Sequence, residues 1–484
     1  MRSPLKDEIK VAVLGMGHVG LPTALGFAEL GWEVIGADCD GTKIRKLRHG
    51  VSPFYEPGLD DLLAAHLENG RFSLTDDVAA AIREATVLFL CVGTPESENG
   101  APDLTAVEGL ARAIACNITG YKLVVEKSTV PAITGEWIKR TVERHAKACQ
   151  RTSFEAICDV ASNPEFLREG RAIHDFFHPD RIVCGVTTDR AKKILSELYS
   201  GLMCPVLFTG LTTAELIKYA ANAFLATKIS FINMVADLCD SLGGDVNEVA
   251  LGIGLDSRIG TGFLNAGLGF GGYCLPKDLR AFIHLATDNN VDCSLLQATE
   301  DVNAQRVERY VKKIREALWN LRGKTIAILG LAFKAGTDDV RRSPSFGVIE
   351  GLLRQGVRLR LYDPKAMESA REVFPEQPER LVYFNDAYEA ATTADAVAIL
   401  TEWEEFRDLD LKRLKEVMTI PVIVDGRNLM DPHKVRTAGF EYLCMGRSVE
   451  CELPNEENTS AAAQIGSTGP AISLSHRAAL RQAS

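Results

Sequence analysis

Cys274 is the residue of this chain best placed to do covalent chemistry. It follows Gly267-Leu268-Gly269-Phe270-Gly271-Gly272-Tyr273 and precedes Leu275-Pro276-Lys277-Asp278. Glycines this dense let a backbone approach a ligand closely. Pro276 suits the first turn of a helix, where its missing N–H costs nothing. The run Asp278-Leu279-Arg280-Ala281-Phe282-Ile283 continues as an amphipathic helix. A thiol at that helix start is expected to feel the positive end of the helix and shift toward thiolate, the nucleophilic form. Lys218 and Asn222 stand four apart in an alanine-rich stretch, so they share one helical face. A cation and an amide aimed at one point could hold a developing oxyanion. The plainer reading is a solvated stripe.

The N-terminal stretch supplies a second chemistry. Ile9-Lys10-Val11-Ala12-Val13-Leu14 has a buried-strand pattern and runs into Gly15-Met16-Gly17-His18-Val19-Gly20; a helix pattern follows from Leu21 to Leu30. A second strand, Glu33 to Ala37, ends at Asp38. Strand, GxGxxG, helix, strand and a terminal acid are the context of a dinucleotide site, with the pyrophosphate at the helix N-terminus. The Asp38 carboxylate would bond a ribose 2′-OH and repel a 2′-phosphate, which favours NAD over NADP.

Three more buried strands end in polar loops: Gly93-Thr94-Pro95 after Thr86–Val92, Lys127-Ser128-Thr129-Val130-Pro131 after Tyr121–Glu126, and Asn163-Pro164-Glu165-Phe166-Leu167-Arg168-Glu169-Gly170 after Asp159–Ser162. Ligands bind outside the carboxyl ends of parallel strands, so these loops should converge on one site. Turn chemistry alone also accounts for Thr-Pro and Asn-Pro. From Thr212 the pattern becomes a long helix reaching about Leu242, with Thr212 and Glu215 spaced as a capping box. At Lys324 a second α/β pattern opens. Thr325–Leu329 leads into Gly330, and Val357–Tyr362 ends at Asp363, repeating the first layout without its GxGxxG.

The 484 residues are enough for several domains with real cores. The net charge of −11 argues against nucleic acid or an anionic membrane as partner. The N-terminus lacks a signal-peptide core and no apolar run is long enough to span a bilayer. The twelve cysteines show neither CxxC nor zinc spacing, so a cytoplasmic chain with reduced thiols and no metal site is expected.

Taken together, these motifs resemble the nucleotide-sugar 6-dehydrogenases of the UDP-glucose/GDP-mannose dehydrogenase family, over residues from about 9 to 448. The residues that carry the likeness are Gly15-x-Gly17-x-x-Gly20, Lys127-Ser128-Thr129-Val130-Pro131, Asn163-Pro164-Glu165-Phe166-Leu167-x-Glu169-Gly170, Lys218 with Asn222, Arg258-Ile259-Gly260, the Cys274 loop through Asp278, and Phe333-Lys334. Tyr273 departs from the small residue usual there. Ala132-Ile133 is a less typical sequel to Ser-Thr-Val-Pro.

The resemblance implies oxidation of a primary alcohol to a carboxylate with two NAD in succession, through a thiohemiacetal and a thioester on Cys274. It implies that Lys218 and Asn222 hold the oxygen at C6. Asp278 would act with Lys218 and a water held by Thr129 as base for the alcohol proton, and Glu165 as base for thioester hydrolysis. NAD contacts implied are Gly15, Gly17, His18, Val19, Gly20, Asp38, Lys43, Thr94, Glu169 and Arg341; an ion pair with Asp338 or Asp339 is the competing role for Arg341. Substrate contacts implied are Glu165, Phe166, Leu167, Lys218, Asn222, Phe263, Leu264, Asn265, Gly269, Gly271, Phe333, Lys334 and Arg427. Arg258 would come from a neighbouring subunit of a homodimer or larger homo-oligomer.

Within the family, Arg258-Ile259-Gly260 and Ser-Thr-Val-Pro favour UDP-glucose; GDP-mannose or an N-acetylated UDP-sugar are the alternatives. A non-catalytic nucleotide-binding protein is the reading of another class, and Cys274 with Lys218, Asn222 and Asp278 argues against it. The expected architecture is α/β: two Rossmann-like doubly wound domains joined by a long central helix and an all-α middle domain. Expected boundaries are 1–205 for the NAD-binding domain, 206–320 for the central helical dimerisation domain, 321–450 for the nucleotide-sugar-binding domain and 451–484 for a disordered tail.

Overall fold

A computed structural model describes residues 9–97, 100–148 and 158–447; the expected tail lies outside them. Two parallel sheets flank a helical middle. The first holds β1 (Val11–Leu14), β2 (Val34–Ala37), β3 (Phe72–Thr75), β4 (Val87–Leu90), β5 (Lys122–Glu126), β6 (Cys158–Ser162), β7 (Ile182–Val186) and β8 (Val206–Thr209). Their order is β3-β2-β1-β4-β5-β6-β7-β8, parallel except where β6 meets β7. The second sheet, β9 (Thr325–Leu329), β10 (Arg358–Tyr362), β11 (Leu381–Tyr383), β12 (Ala396–Ile399), β13 (Val422–Asp425) and β14 (Glu441–Cys444), runs β11-β10-β9-β12-β13-β14. Its six strands follow the order of the first six strands of the first sheet. This is the doubly wound order, with a switch point between β1 and β4 and another between β9 and β12.

The central strands read as continuous apolar runs because helices cover both their faces. Val11, Val13, Val87, Phe89, Leu123 and Val125 pack to one side of the first sheet, and Ala12, Leu14, Leu88, Leu90 and Val124 to the other. Strands β3 and β8 lie at the sheet edges with most of their side chains part-exposed, so they carry no such run and were not expected. The first sheet closes with β8, which pairs with β7 beyond position 205, the boundary drawn from the sequence.

Six helices matter for the site: α1 (Gly20–Glu29), α2 (Thr134–Ala148), α3 (Leu211–Leu242), α4 (Val246–Gly254), α5 (Cys274–Asp288) and α6 (Ser294–Leu318). Helix α3 is the long central helix, and α4, α5 and α6 pack on it. Its N-cap is Gly210, with no side-chain cap, so the expected Thr212–Glu215 capping box does not form. Glu215 turns instead to α2 and accepts from the N–H groups of Ile133 and Gly135, both at 2.7 Å. A buried carboxylate at another helix's N-terminus satisfies two orphan donors there, which outweighs closing its own turn. Among the described residues no helix is long and apolar enough to cross a membrane.

The two α/β units repeat one device. Gly15 (φ +101°) and Gly330 (φ +103°) end their first strands, donating to the Ala37 and Tyr362 carbonyls. Asp38 and Asp363, at the ends of β2 and β10, accept from the next N–H groups, Met16 and Leu331. Asp363 is consumed by this role. It also takes the N–H groups of Ala332, Lys365 and Ala366 and the Trp403 indole.

Candidate active site

The glycine loop after β1 is shaped for a dinucleotide. A Cβ on Gly15 would lie 2.5 Å from the Cys91 carbonyl oxygen, and one on Gly20 would lie 1.8 Å from the Gly15 oxygen. Nothing lies within 4 Å of a Cβ built on Gly17, so that position faces open space. Helix α1 follows from Val19 with no side-chain cap and no acid in its first turn, which leaves its N–H groups to an anion. Asp38 accepts from Met16 N–H (2.8 Å), Asp40 N–H (2.9 Å) and Lys43 Nζ (2.7 Å). Burial pushes its carboxyl up, but Lys43 and the two N–H groups outweigh burial and leave it below its ordinary value. The carboxylate expected to meet a ribose is therefore ionised. His18 stacks on Phe54 at 4.0 Å, and burial, with Arg341 adding, pushes its imidazole down to about 4.

A cavity of about 1180 Å³ is walled by both α/β units and the helical middle. Strand ends deliver Glu165, Phe166 and Leu167; α3 delivers Lys218 and Asn222; the segment after α4 delivers Phe263, Leu264 and Asn265. Gly269, Gly271, Tyr273 and Cys274 come from the glycine-rich loop, and Phe333, Lys334 and Arg427 from the second sheet's loops. Every substrate contact implied from the sequence is there except Arg258, whose exposed guanidinium pairs with Asp256 (2.5 Å).

Lys218 and Asn222 are both buried, so the solvated-stripe reading is wrong. Lys218 Nζ donates to Glu165 Oε1 at 3.0 Å, and Asn222 Nδ2 donates to Asp278 Oδ2 at 2.6 Å. Two polar pairs thus leave α3 one turn apart and reach two carboxylates on different elements. Burial disfavours charge on Lys218, but Glu165, Asp278 and Cys274 around it outweigh burial and hold its ammonium above the ordinary value. Glu165 accepts on both oxygens, since its Oε2 takes the Leu167 N–H at 2.6 Å, and each oxygen keeps a lone pair for a further donor. Asp278 is wholly buried behind the cavity wall, with Lys277 Nζ at 2.8 Å.

The expectation of a thiolate at Cys274 is corrected. The residue does open α5. Burial, with Glu165 and Asp278 adding, nonetheless pushes its thiol up to about 12, against the pull of Lys218. Desolvation and two carboxylates outweigh one helix terminus. The thiol is therefore protonated near neutrality and must lose its proton during the reaction.

Other expected residues stand further out. Thr129 is not part of the cavity wall; its carbonyl accepts from Thr94 Oγ1 at 2.9 Å. Thr94 also receives Lys277 Nζ at 3.4 Å. Arg341 grips Asp339 through Nε and Nη2, the ion-pair role weighed against cofactor contact, while Asp338 accepts from Tyr55 N–H at 3.1 Å. Glu169 lines the cavity, and burial, with Asp339 adding, pushes its carboxyl up to about 8. Arg427 donates to the carbonyls of Leu400, Gly269 and Phe333, tying the second sheet to the thiol loop. Tyr273 packs between cations, with Arg341 Cζ 4.5 Å and Lys277 Nζ 5.6 Å from its ring centre.

Sequence reasoning gave no role to Lys127 or Arg181, both in the cavity wall. Lys127 Nζ, buried, donates to Asn163 Oδ1 at 3.1 Å. Arg181 lies over the Phe166 ring at 3.6 Å. Lys127 stood in a quoted motif and could have been found there. Arg181 leads into β7, a strand not expected, and carried no signal.

The comparisons with known proteins agree with this geometry. The UDP-glucose/GDP-mannose dehydrogenase family matches in three parts: its NAD binding domain over residues 9–203, its central domain over 212–305 and its UDP binding domain over 327–432. The chain belongs to this family, and its cofactor is NAD. It is 45% identical over 446 residues to a UDP-glucose 6-dehydrogenase of Rhizobium meliloti (strain 1021), covering 91% of this chain and 100% of that one. It is 44% identical over 438 residues to one from Bacillus subtilis (strain 168), covering 90% and 93%. A solved UDP-glucose dehydrogenase of the archaeon Pyrobaculum islandicum superposes with a TM-score of 0.85 at 39% identity, covering 93% of this chain and 100% of that one.

Proposed function

We propose that the protein oxidises UDP-glucose at C6 to UDP-glucuronate, consuming two NAD and one water. The observation that carries this reading is the meeting of Cys274, Lys218 and Asn222 in one cavity that the UDP binding domain also walls. An enzyme that stopped at the aldehyde would need no nucleophile; one that continues to the acid gains from it.

NAD, when bound, accepts a hydride from C6 in each oxidation. The residues of this chain handle the oxygen and the protons. Lys218, held charged, and Asn222 stabilise the alkoxide that forms as the alcohol loses its proton. Asp278, reached through Asn222, supplies the negative charge that takes up this proton through a water. Cys274 then adds to the aldehyde carbon, forming the S–C bond while its proton passes to the oxygen. The second hydride leaves that carbon as the hydroxyl proton departs to water, and a thioester remains. Glu165 takes a proton from the attacking water, the C–S bond breaks, and the acid departs as Cys274 recovers its proton.

The substrate choice rests on relatives of about 40–45% identity that are UDP-glucose 6-dehydrogenases. A UDP-D-ManNAc dehydrogenase of Pyrococcus horikoshii superposes with a TM-score of 0.79 but at 29% identity. A panel of UDP-glucose, GDP-mannose and N-acetylated UDP-sugars with NAD, followed at the NADH absorbance, tests the reading. Two NADH per UDP-glucose is the expected stoichiometry; one NADH with free aldehyde, or faster turnover of GDP-mannose, rejects it.

The reading extends to a homodimer about α3. Phe224 (65% exposed), Phe231, Met234, Leu238 (53%) and Leu242 (82%) line one outward face, too much apolar surface to leave in water. Phe224 also belongs to the cavity wall, so a second copy on this face would complete the site and bring Arg258 toward it. Light scattering coupled to size exclusion checks it; a monomer at micromolar concentration overturns it.

A further inference from the structure

The thiol loop has almost no regular backbone pairing of its own. Its peptide groups are held by side chains, and two of those side chains belong to α6, which contributes nothing to the cavity wall. Asn303 accepts from Phe270 N–H through Oδ1 (2.8 Å) and donates from Nδ2 to the Phe270 carbonyl (3.0 Å). One amide thus stands in for a paired strand at that residue. Three residues on, Arg306 is fully buried and donates from Nε to the Gly267 carbonyl (3.1 Å), while Asn233 of α3 accepts from Gly267 N–H (2.8 Å).

The loop sequence fits this clamp. A Cβ on Gly269 would lie 2.3 Å from Asn303 Oδ1, and Gly269 has φ +86°. Only glycine takes that conformation with a polar atom so near. The Phe270 ring lies in one buried cluster with Ala223 and Ala226 of α3 and Leu279 of α5, with Leu275 packed against it. Fixing the Phe270 peptide therefore fixes the first turns of the helix that Cys274 opens. Helix α6 is itself tied to α3, because Ser230 Oγ donates to the Thr299 carbonyl (2.7 Å) and Arg306 Nη1 to Asp237 Oδ1 (2.6 Å).

We propose that Asn303, backed by Arg306, is a positioning residue for the reaction, holding the thiol loop in register with Lys218 and Asn222 without touching substrate or cofactor. This rests on Cys274 as the nucleophile. A misplacement of about 1 Å at a reacting atom is enough to cost roughly 100-fold in rate.

The test uses full-length Asn303→Ala and Asn303→Asp, the second retaining the acceptor for Phe270 N–H. Turnover is referred to folded sites counted by stoichiometric NAD binding, which removes any unfolded fraction. The expected result is a kcat lowered roughly 10- to 100-fold in Asn303→Ala and less in Asn303→Asp, with the KM for NAD unchanged. Hydrogen exchange at the Phe270 amide should speed up in Asn303→Ala. Gly269→Ala, crippling alone, should cost less in the Asn303→Ala background. Wild-type kcat per active site in Asn303→Ala, or a parallel loss of kcat and NAD affinity, overturns the proposal. Full turnover by Cys274→Ser would instead remove the nucleophile reading, leaving the amide exchange to report on the clamp alone.

Discussion

Lys218 Nζ lies 3.0 Å from Glu165 Oε1 with both side chains almost wholly buried, 5% and 4% exposed. Each charge is the other's nearest compensation there, with Asp278 adding for Lys218 and the Leu167 N–H for Glu165. Removing one partner of such a pair typically costs about 3–5 kcal/mol, because the remaining charge is left desolvated. Lys218→Ala and Glu165→Gln should each destabilise strongly, and the double variant by clearly less than their sum. Urea denaturation of the three variants measures the coupling. Lys218→Ala should also lower kcat by about 100-fold or more through loss of the oxyanion contact.

Cys274→Ser should stop the reaction after the first oxidation, giving at most one NADH per UDP-glucose. Mass spectrometry should find no acyl adduct at position 274 of that variant and an adduct on the wild-type thiol during turnover. Full release of the acid by the serine variant removes Cys274 from the mechanism.

The thiol itself predicts a pH profile. With its value pushed up to about 12, alkylation of Cys274 by iodoacetamide should be slow at neutral pH and still be rising above pH 9. A plateau near neutrality would show a thiolate already formed.

Glu126 carries a separate pH effect, on stability. It ends β5, is 1% exposed, and burial, with Glu215 adding, pushes its carboxyl up to about 8 from 4.5. The folded state then holds a proton that the unfolded chain has lost. The contribution is fully present below pH 4.5 and is lost as pH rises through 8. Glu126→Gln should flatten this slope and be more stable than wild type at pH 9, as read by thermal melts across pH.

Asp38→Ala should lower kcat/KM for NAD by roughly tenfold and improve use of NADP relative to NAD, since the carboxylate that bonds the ribose and repels a 2′-phosphate is gone. An unchanged NAD/NADP ratio would remove Asp38 from cofactor choice.

Much of this protein was legible because local patterns carried it. The glycine loop, the acid at the end of β2 and the apolar runs of β1, β4, β5 and β6 are short-range signals, and the two α/β units with the helical middle followed from their order. Spacing alone put Lys218 and Asn222 on one face. What packs against a face is decided by segments distant in sequence, and there the reading fell short. Whether Lys218 meets water or Glu165, 53 positions away, depends on β6 and α3 meeting. Glu215 was read with its own helix and serves another.

The chemical types at the site, a thiol after glycines, a lysine with an asparagine and a strand-end carboxylate, were fixed by sequence. Their protonation was not. A helix start argued for a thiolate at Cys274, but the tertiary fold sets that half-buried residue beside Glu165 and Asp278, and desolvation with two like charges outweighs a helix terminus. Local sequence can specify which groups a chain carries and which way a segment winds. Only the packed structure sets the dielectric and the neighbouring charges that give each group its reactivity.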